Sequence, residues 1–322
     1  MNNILITSVG RRVSLVNAFQ NEIKKYFSNS QVLTADANQK LSAASNLHFK
    51  STKLPKITDS TYLKSLINFC KKNQIKLIVP TIDTELLFLA KNKEQLLKHN
   101  IRPIISSINF IKKCRDKRLI HSFFKDQKIR VAKEYNLKNF QLPLFVKPRD
   151  GSRSKDNHIV KSKKYLNAIY SKEKGFMLLE YFDSKKFQEF TCDLYYGRDS
   201  SLKCVVPRKR IDIRDGEVNK AKTEKNFLVE FIVEKLSYIN GARGCLTAQF
   251  FKHKNNDEVI GIEINPRFGG GFPLTYASGA NFPKWIIEEY LLDKNLNYFD
   301  NWEKDLLMLR YDKEIFINNS YE

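Results

Sequence analysis

Cysteine is scarce and scattered in this 322-residue chain. Cys70, Cys114, Cys192, Cys204 and Cys245 are odd in number and form no C-x-x-C. That excludes a disulfide framework and a zinc ribbon, and it points to the reducing cytoplasm. Histidine is equally sparse, with five residues and no cluster. No apolar run approaches the roughly 20 residues that span a bilayer, so no membrane association is expected. The opening, Met1-Asn2-Asn3-Ile4-Leu5-Ile6, is too short and too uncharged for a signal peptide and reads as a first strand. Internal repeats and low-complexity linkers are absent. Acidic residues are outnumbered, 35 against 56 Lys and Arg, for a net charge of +21. Such a surplus can serve nucleic acid. Here, however, the lysines are spread along the whole length among asparagine and isoleucine, with no compact basic tract. Two readings fit: a Lys/Asn/Ile compositional bias, and a field that serves an anionic small molecule. No specific nucleic-acid partner is expected.

What is present suits a folded protein of two or three domains, with 42% hydrophobic and 28% charged residues. Ile4 to Gly10 reads as a strand entering a tight turn. Val13, Leu15, Val16, Phe19, Ile23 and Phe27 follow at helical spacing, and Gln31 to Ala35 is a second strand ending at Asp36. This is a βαβ opening. Its turn holds a single glycine, so no dinucleotide fingerprint is met, but Gly10 and Arg11 could receive an anion at the helix start. Lys76-Leu77-Ile78-Val79-Pro80 is another buried strand. Asp83 and Glu85 follow at its carboxyl end, where parallel sheets bind ligands. Either they meet a ligand or Asp83 or Thr84 merely caps the next helix.

The most informative stretch is Glu263-Ile264-Asn265-Pro266-Arg267, followed by Phe268 and Gly269-Gly270-Gly271. It ends a branched apolar strand, Val259 to Ile262. Residues two apart share a strand face. Glu263 and Asn265 therefore stand together, with Ile262 and Ile264 turned to a core. A carboxylate and an amide are hard oxygen donors suited to Mg²⁺ held against phosphates. Pro266 ends the ladder, and Arg267 can fork onto a phosphate. Upstream, Cys245 to Phe251 forms a hairpin partner across Lys254-Asn255-Asn256-Asp257 and brings Gln249 beside Glu263. The alternative reading is a solvated strand end and a glycine turn.

On these residues the chain resembles the ATP-grasp superfamily, in particular carbamoyl-phosphate-synthase-like ATP-grasp proteins, over nearly its whole length. The resemblance implies an α/β fold: a Rossmann-like domain at 1–107 and an ATP-grasp domain at 108–300, followed by a tail at 301–322. The ATP-grasp domain comprises a small lobe at 108–180 and a catalytic lobe at 181–300. It implies ATP and Mg²⁺ as cofactors, with Mn²⁺ able to substitute, and Gln249, Glu263 and Asn265 as metal ligands. Lys117, in a helix expected over Asn109 to Phe124, and Lys147, at the end of the strand Leu144 to Pro148, match the phosphate-binding lysines. The loop carrying Gly151, Ser152 and Ser154 matches the lid over the phosphates, although Asp156 and Asn157 stand where relatives have a further glycine. Glu180, Tyr181 and Phe182 match the adenine hinge, and Glu189 a second acid near the adenosine. Arg267, and with it Arg210 and Arg214 from the basic segment Pro207 to Glu217, are candidates for catalysis; a solvated basic loop is the alternative for Arg210 and Arg214. Gly10, Arg11, Asp83 and Glu85 would belong to the substrate site. The implied activity is ATP-dependent ligation of a carboxylic acid to an amine through an acyl phosphate, in the cytoplasm, and a homodimer is compatible with it. The alternatives are phosphorylation of a carbamate or carboxylate, as in carbamoyl phosphate synthesis, and a non-catalytic nucleotide- or nucleic-acid-binding protein on the same fold.

Overall fold

A computed structural model describes the chain except for residues 48–49, 150–155, 171–174, 215 and 319–322. It begins with a parallel sheet in the order β3-β2-β1-β4-β5. The strands are β1 (Asn3–Thr7), β2 (Val32–Asp36), β3 (Ser51–Lys53), β4 (Ile75–Pro80) and β5 (Arg102–Pro103). Helices α1 (Val13–Tyr26), α2 (Ala43–Leu47), α3 (Tyr62–Lys72), α4 (Asp83–Lys91) and α5 (Lys93–Leu97) accompany them. β1 is buried throughout, as a central parallel strand covered on both faces must be. Its alternating side chains feed two cores. Ile4 and Ile6 join Val16 and Phe19 of α1, whereas Leu5 joins Leu66 of α3 and Leu89 of α4.

The helix expected over Asn109 to Phe124 is in fact two, α6 (Ile108–Arg115) and α7 (Lys117–Asp126). Asp116 between them is extended, with φ −102° and ψ 117°. Its carboxylate accepts from the N–H groups of Arg118 (2.8 Å) and Leu119 (3.4 Å), so it caps α7 instead of continuing α6. β6 (Arg130–Val131) then pairs with β15 (Val259–Asn265), the strand that carries Glu263. β7 (Glu134–Tyr135), β8 (Leu144–Pro148), β9 (His158–Val160) and β10 (Phe176–Glu180) make a small antiparallel sheet in the order β7-β10-β8-β9. α8 (Lys163–Tyr170) covers it by setting Leu166 among Leu144, Val146, Val160 and Phe176. The separate small sheet therefore starts at β7, because α6, α7 and β6 pack on the larger sheet.

That larger sheet has the order β16-β13-β12-β11-β14-β15-β6. Its remaining strands are β11 (Phe187–Tyr196), β12 (Leu202–Arg214), β13 (Glu217–Thr223), β14 (Gly244–His253) and β16 (Leu307–Leu309). α9 (Leu228–Leu236), α10 (Phe272–Ala277) and α11 (Phe282–Leu291) complete the unit. The segment 301–322, expected as a tail, contributes β16 and the buried Trp302. One hydrophobic core runs from Ile4 and Phe19 of the first unit to Phe268, Phe272 and Phe282 of this one. Phe19 meets Phe268 edge to face, with ring centroids 5.7 Å apart. Tyr276 Oη donates to Glu22 (2.8 Å) and Tyr26 Oη to Glu288 (2.9 Å) across the same junction. Among the described residues no helix is long and apolar enough to cross a membrane.

One face of the large sheet is apolar and the other polar. The register sets Asp193 opposite Thr247, Thr191 opposite Gln249 and Arg208, and Gln249 opposite Glu263. At the centre of the polar face, Arg208 (1% exposed) makes two bonds of 2.9 and 3.0 Å to Asp193 (0% exposed). Thr275 and Thr247 also donate to Asp193, at 2.6 and 3.3 Å. The glycine loop after Arg267 lies directly on this pair. A Cβ on Gly271 would overlap the Arg208 guanidinium, and one on Gly269 would crowd Thr247. A buried pair contributes little net stability while intact, but breaking it strands a buried charge. Arg208→Met is therefore expected to destabilise the protein by about 3–5 kcal/mol in denaturant unfolding, and adding Asp193→Leu should recover part of the loss. An unchanged midpoint in the single variant would show that Asp193 does not need its partner.

Candidate active site

On the polar face, Glu263 Oε1 accepts from Gln249 Nε2 and from Asn265 Nδ2, each at 2.9 Å. The structure thus brings together the three side chains expected to hold a metal. Ile264 is buried behind them, but Ile262 is not in the core. The β14–β15 register shifts between Gln249 and Phe250, and Ile262 is the extra residue. The face also carries Glu189, paired with Arg210, whose Nη1 also reaches Gln249 Oε1 at 3.4 Å. Burial raises the Glu189 pKa, the nearby Arg210 opposes that, and the charge of Glu263 adds to the rise. Glu189 was expected beside the adenosine with Glu180. Its place in the register puts it on the Gln249–Glu263 face. Among the described residues no three His, Cys, Asp or Glu side chains cluster as a metal cage. One carboxylate flanked by two amides suits Mg²⁺, which keeps water and phosphate oxygens as most of its ligands.

Above this face stands Lys147 of β8. It is 5% exposed and has no hydrogen-bonded acceptor among the described residues. Burial lowers its pKa to about 8, with Glu263 opposing the shift and the charge of Lys117 adding to it. Lys117 opens α7, and its backbone N–H donates to the Arg149 carbonyl (3.3 Å), which ties α7 to the end of β8. His121, one turn further along α7, is pushed down to about 4 by burial and by Lys147, so it is neutral at physiological pH. Gly151, Ser152 and Ser154 lie outside the described residues. Asp156 adopts a positive φ of 59°, a conformation usually left to glycine or asparagine.

Glu180 ends β10, where the chain passes from the small sheet to the large one. Its carboxylate accepts from Arg130 (2.6 Å) and from the Lys133 N–H (3.2 Å), and its own N–H donates to the Lys133 carbonyl (2.9 Å). Tyr181 is partly exposed in the connection. Phe182 is held between Phe187 and Phe251, at centroid distances of 5.0 and 5.6 Å, with Arg130 over its ring. The connection is thus fixed on both sides by Arg130, a residue without any sequence signal of its own.

The first unit reaches the site through Asp83, whose Oδ2 accepts from Arg267 Nη2 (2.9 Å) and Nε (3.2 Å). Glu85 does not reach it. It is 0% exposed and accepts from Tyr62 Oη (2.6 Å) and Ser8 Oγ (2.9 Å), and burial raises its pKa. The helical rotation from Asp83 to Glu85 turns the second acid inward, so it is removed from the substrate site. Gly10 does not present its N–H to an anion either, because Asp36 Oδ2 accepts it at 2.9 Å. Arg11 pairs with Glu217 at 3.2 Å. Beside it, Arg12 is lowered to about 10 by burial and then by Arg267. The segment read as a basic loop is β12, and its arginines diverge. Arg210 is on the metal-site face, whereas Arg214, about 13 Å further along a strand, is exposed and paired with Asp312. Arg214 is therefore withdrawn from the catalytic group.

Lys147 yields a pH dependence with a definite sign. Polyphosphate stabilises its charged form, and in the free protein that form is lost as pH rises through about 8. Nucleotide binding must then take up a proton. Mg·ADP affinity is expected to be flat below pH 8 and to fall about tenfold per unit above it, and Lys147→Met should bind weakly with no such fall. Calorimetric titrations between pH 7 and 9.5 measure this. An equally steep fall in the variant would assign the titration to another group.

Residues 4–104 match the family described as PylC-like, N-terminal domain. Residues 172–313 match the family described as ATP-grasp in the biosynthetic pathway with Ter operon. No curated protein matches the chain. Among solved structures, biotin carboxylase from Campylobacter jejuni in its β-γ-ATP complex is similar at 16% identity and a TM-score of 0.71, over 95% of this chain and 74% of that one. N5-carboxyaminoimidazole synthetase from Staphylococcus aureus complexed with ADP is similar at 15% identity and a TM-score of 0.67, over 92% of this chain and 79% of that one. L-amino acid ligase from Bacillus licheniformis is similar at 17% identity and a TM-score of 0.66, over 90% and 74%. These likenesses establish a shared fold, and the two family matches identify a PylC-like N-terminal segment at residues 4–104 and an ATP-grasp segment at residues 172–313.

Proposed function

We propose that the protein is an ATP-dependent ligase that joins a small carboxylic acid to an amine through an acyl phosphate, releasing ADP and phosphate. The observation that carries this reading is Lys147, a buried cation without a hydrogen-bonded acceptor among the described residues, set above a carboxylate flanked by two amides. An uncompensated buried charge is costly, and a phosphate chain completes this one. Glu263, Asn265 and Gln249 would hold Mg²⁺, which when bound neutralises charge developing on the transferred phosphoryl group.

The chain's own residues do the rest by position. Lys147 and Lys117 come from different elements and bring positive charge to one point, as phosphoryl transfer requires. Arg267 is held by Asp83 at the edge of the first unit, where it can turn from that acid to an incoming carboxylate or phosphate. Glu189 and Arg210 neutralise one another beside Gln249 and hold its amide in place. Neutral His121 packs behind Lys147 and adds no charge to the site.

Glu263→Gln keeps the shape of the face and removes its one unpaired carboxylate. ADP formation should fall by at least about two orders of magnitude, since charge stabilisation by the metal is worth several kcal/mol, while the unfolding midpoint stays near that of the parent. Near-normal ADP release from this variant would reduce Glu263 to a strand-end acid and remove the ligase reading.

A further inference from the structure

A second charged cluster lies where the first unit, the glycine loop and the C-terminal segment meet. Arg11 and Arg12 come from the β1–α1 turn, Arg267 follows β15, and Arg310 follows β16. Arg310 donates to the Gly270 carbonyl and, at 3.2 Å, to Glu217. Its backbone N–H is fixed by the Asn219 carbonyl at 3.1 Å. Glu217 is shared, because Arg11 takes the same oxygen at 3.2 Å. Asp83 is taken by Arg267. Among the described residues Arg12 has one bond, to the Thr81 carbonyl at 3.3 Å, and no carboxylate of its own. It is partly buried and feels Arg267 and Arg310 as like charges, opposed by Glu217 and Asp83. Among the described residues four guanidiniums thus share two carboxylates, Glu217 and Asp83.

Four guanidiniums against two carboxylates leave an excess of positive charge, and holding it in a partly buried place is costly unless an anion balances it. The carboxylate that is to be activated supplies one charge, which Arg267 can take. Arg12 remains, and Arg310 has only the Glu217 oxygen that Arg11 also takes. We infer that the acid substrate carries two anionic groups, the reacting carboxylate and a second carboxylate or phosphate that Arg12 and Arg310 receive. This inference rests on the ligase reading and names its substrate class. Planar, forked donors from two segments discriminate such a group by geometry as well as by charge.

The test is calorimetric binding to the full chain in saturating Mg·ADP. The probes are butyrate, succinate, glutarate and 3-phosphoglycerate. At least one probe with two anionic groups should bind about tenfold or more tighter than butyrate, the scale of one charge-assisted hydrogen bond, and the dicarboxylate and phosphate arms show which second anion is preferred. Arg310→Gln and Arg12→Gln should each abolish that preference and leave Mg·ADP affinity unchanged. Equal binding of butyrate and the probes with two anionic groups, or no binding of any of the latter, overturns the proposal. So does a loss of Mg·ADP affinity in the variants, which would assign the arginines to the nucleotide. A parent chain that fails to bind Mg·ADP at all would instead remove the ligase reading, and this inference with it.

Discussion

Lys147 is enclosed by protein without a hydrogen-bonded acceptor among the described residues, and much of the architecture answers that one cost. Its strand lies in the small sheet, whereas the carboxylate whose charge it feels, Glu263, lies in the large one. Neither sheet alone sets Lys147 against Glu263. The connection at Glu180 to Phe182, clamped by Arg130, fixes how they face each other. Lys117 enters the same space only because Asp116 breaks the preceding helix and restarts it. Together these make a point of positive charge that a protein interior does not favour by itself and that a phosphate chain relieves.

The far wall of the site is set by burial of a different kind. Asp193 and Arg208 satisfy one another with help from Thr275 and Thr247, and they form a polar floor on which three glycines lie. That contact carries Arg267 from the end of β15 to Asp83 of the first unit. The continuous core from Phe19 to Phe282 holds the two units in register, so the arginine cluster around Gly270 is a property of the whole molecule. On the proposed reading, substrate selection and nucleotide binding fall to separate charges, guanidiniums at Arg12 and Arg310 and ammonium groups at Lys117 and Lys147.

Much of this was legible in the sequence where the physics is local. A period of two places Glu263 and Asn265 on one face, a hairpin brings Gln249 opposite, and a βαβ pattern marks the first unit. What was not legible depends on register or rotation over distance. Asp193 in an apolar strand and Arg208 after Pro207 look unrelated until the register of β11 and β12 is known. Glu85 looks equivalent to Asp83 until the helix turns it onto Tyr62. Glu189 sits two positions from Thr191 and so on the metal-site face, which a hinge assignment could not show. Arg310 had no signal, because its role depends on a three-residue strand pairing with β13.

The account stands on transfer of a terminal phosphoryl group to the acid, and oxygen tracing measures that directly. With an acid labelled with ¹⁸O in its carboxylate, an amine and Mg·ATP, the account predicts ADP and phosphate as products, the phosphate carrying one labelled oxygen. AMP and pyrophosphate, or unlabelled phosphate formed together with the amide, would contradict it.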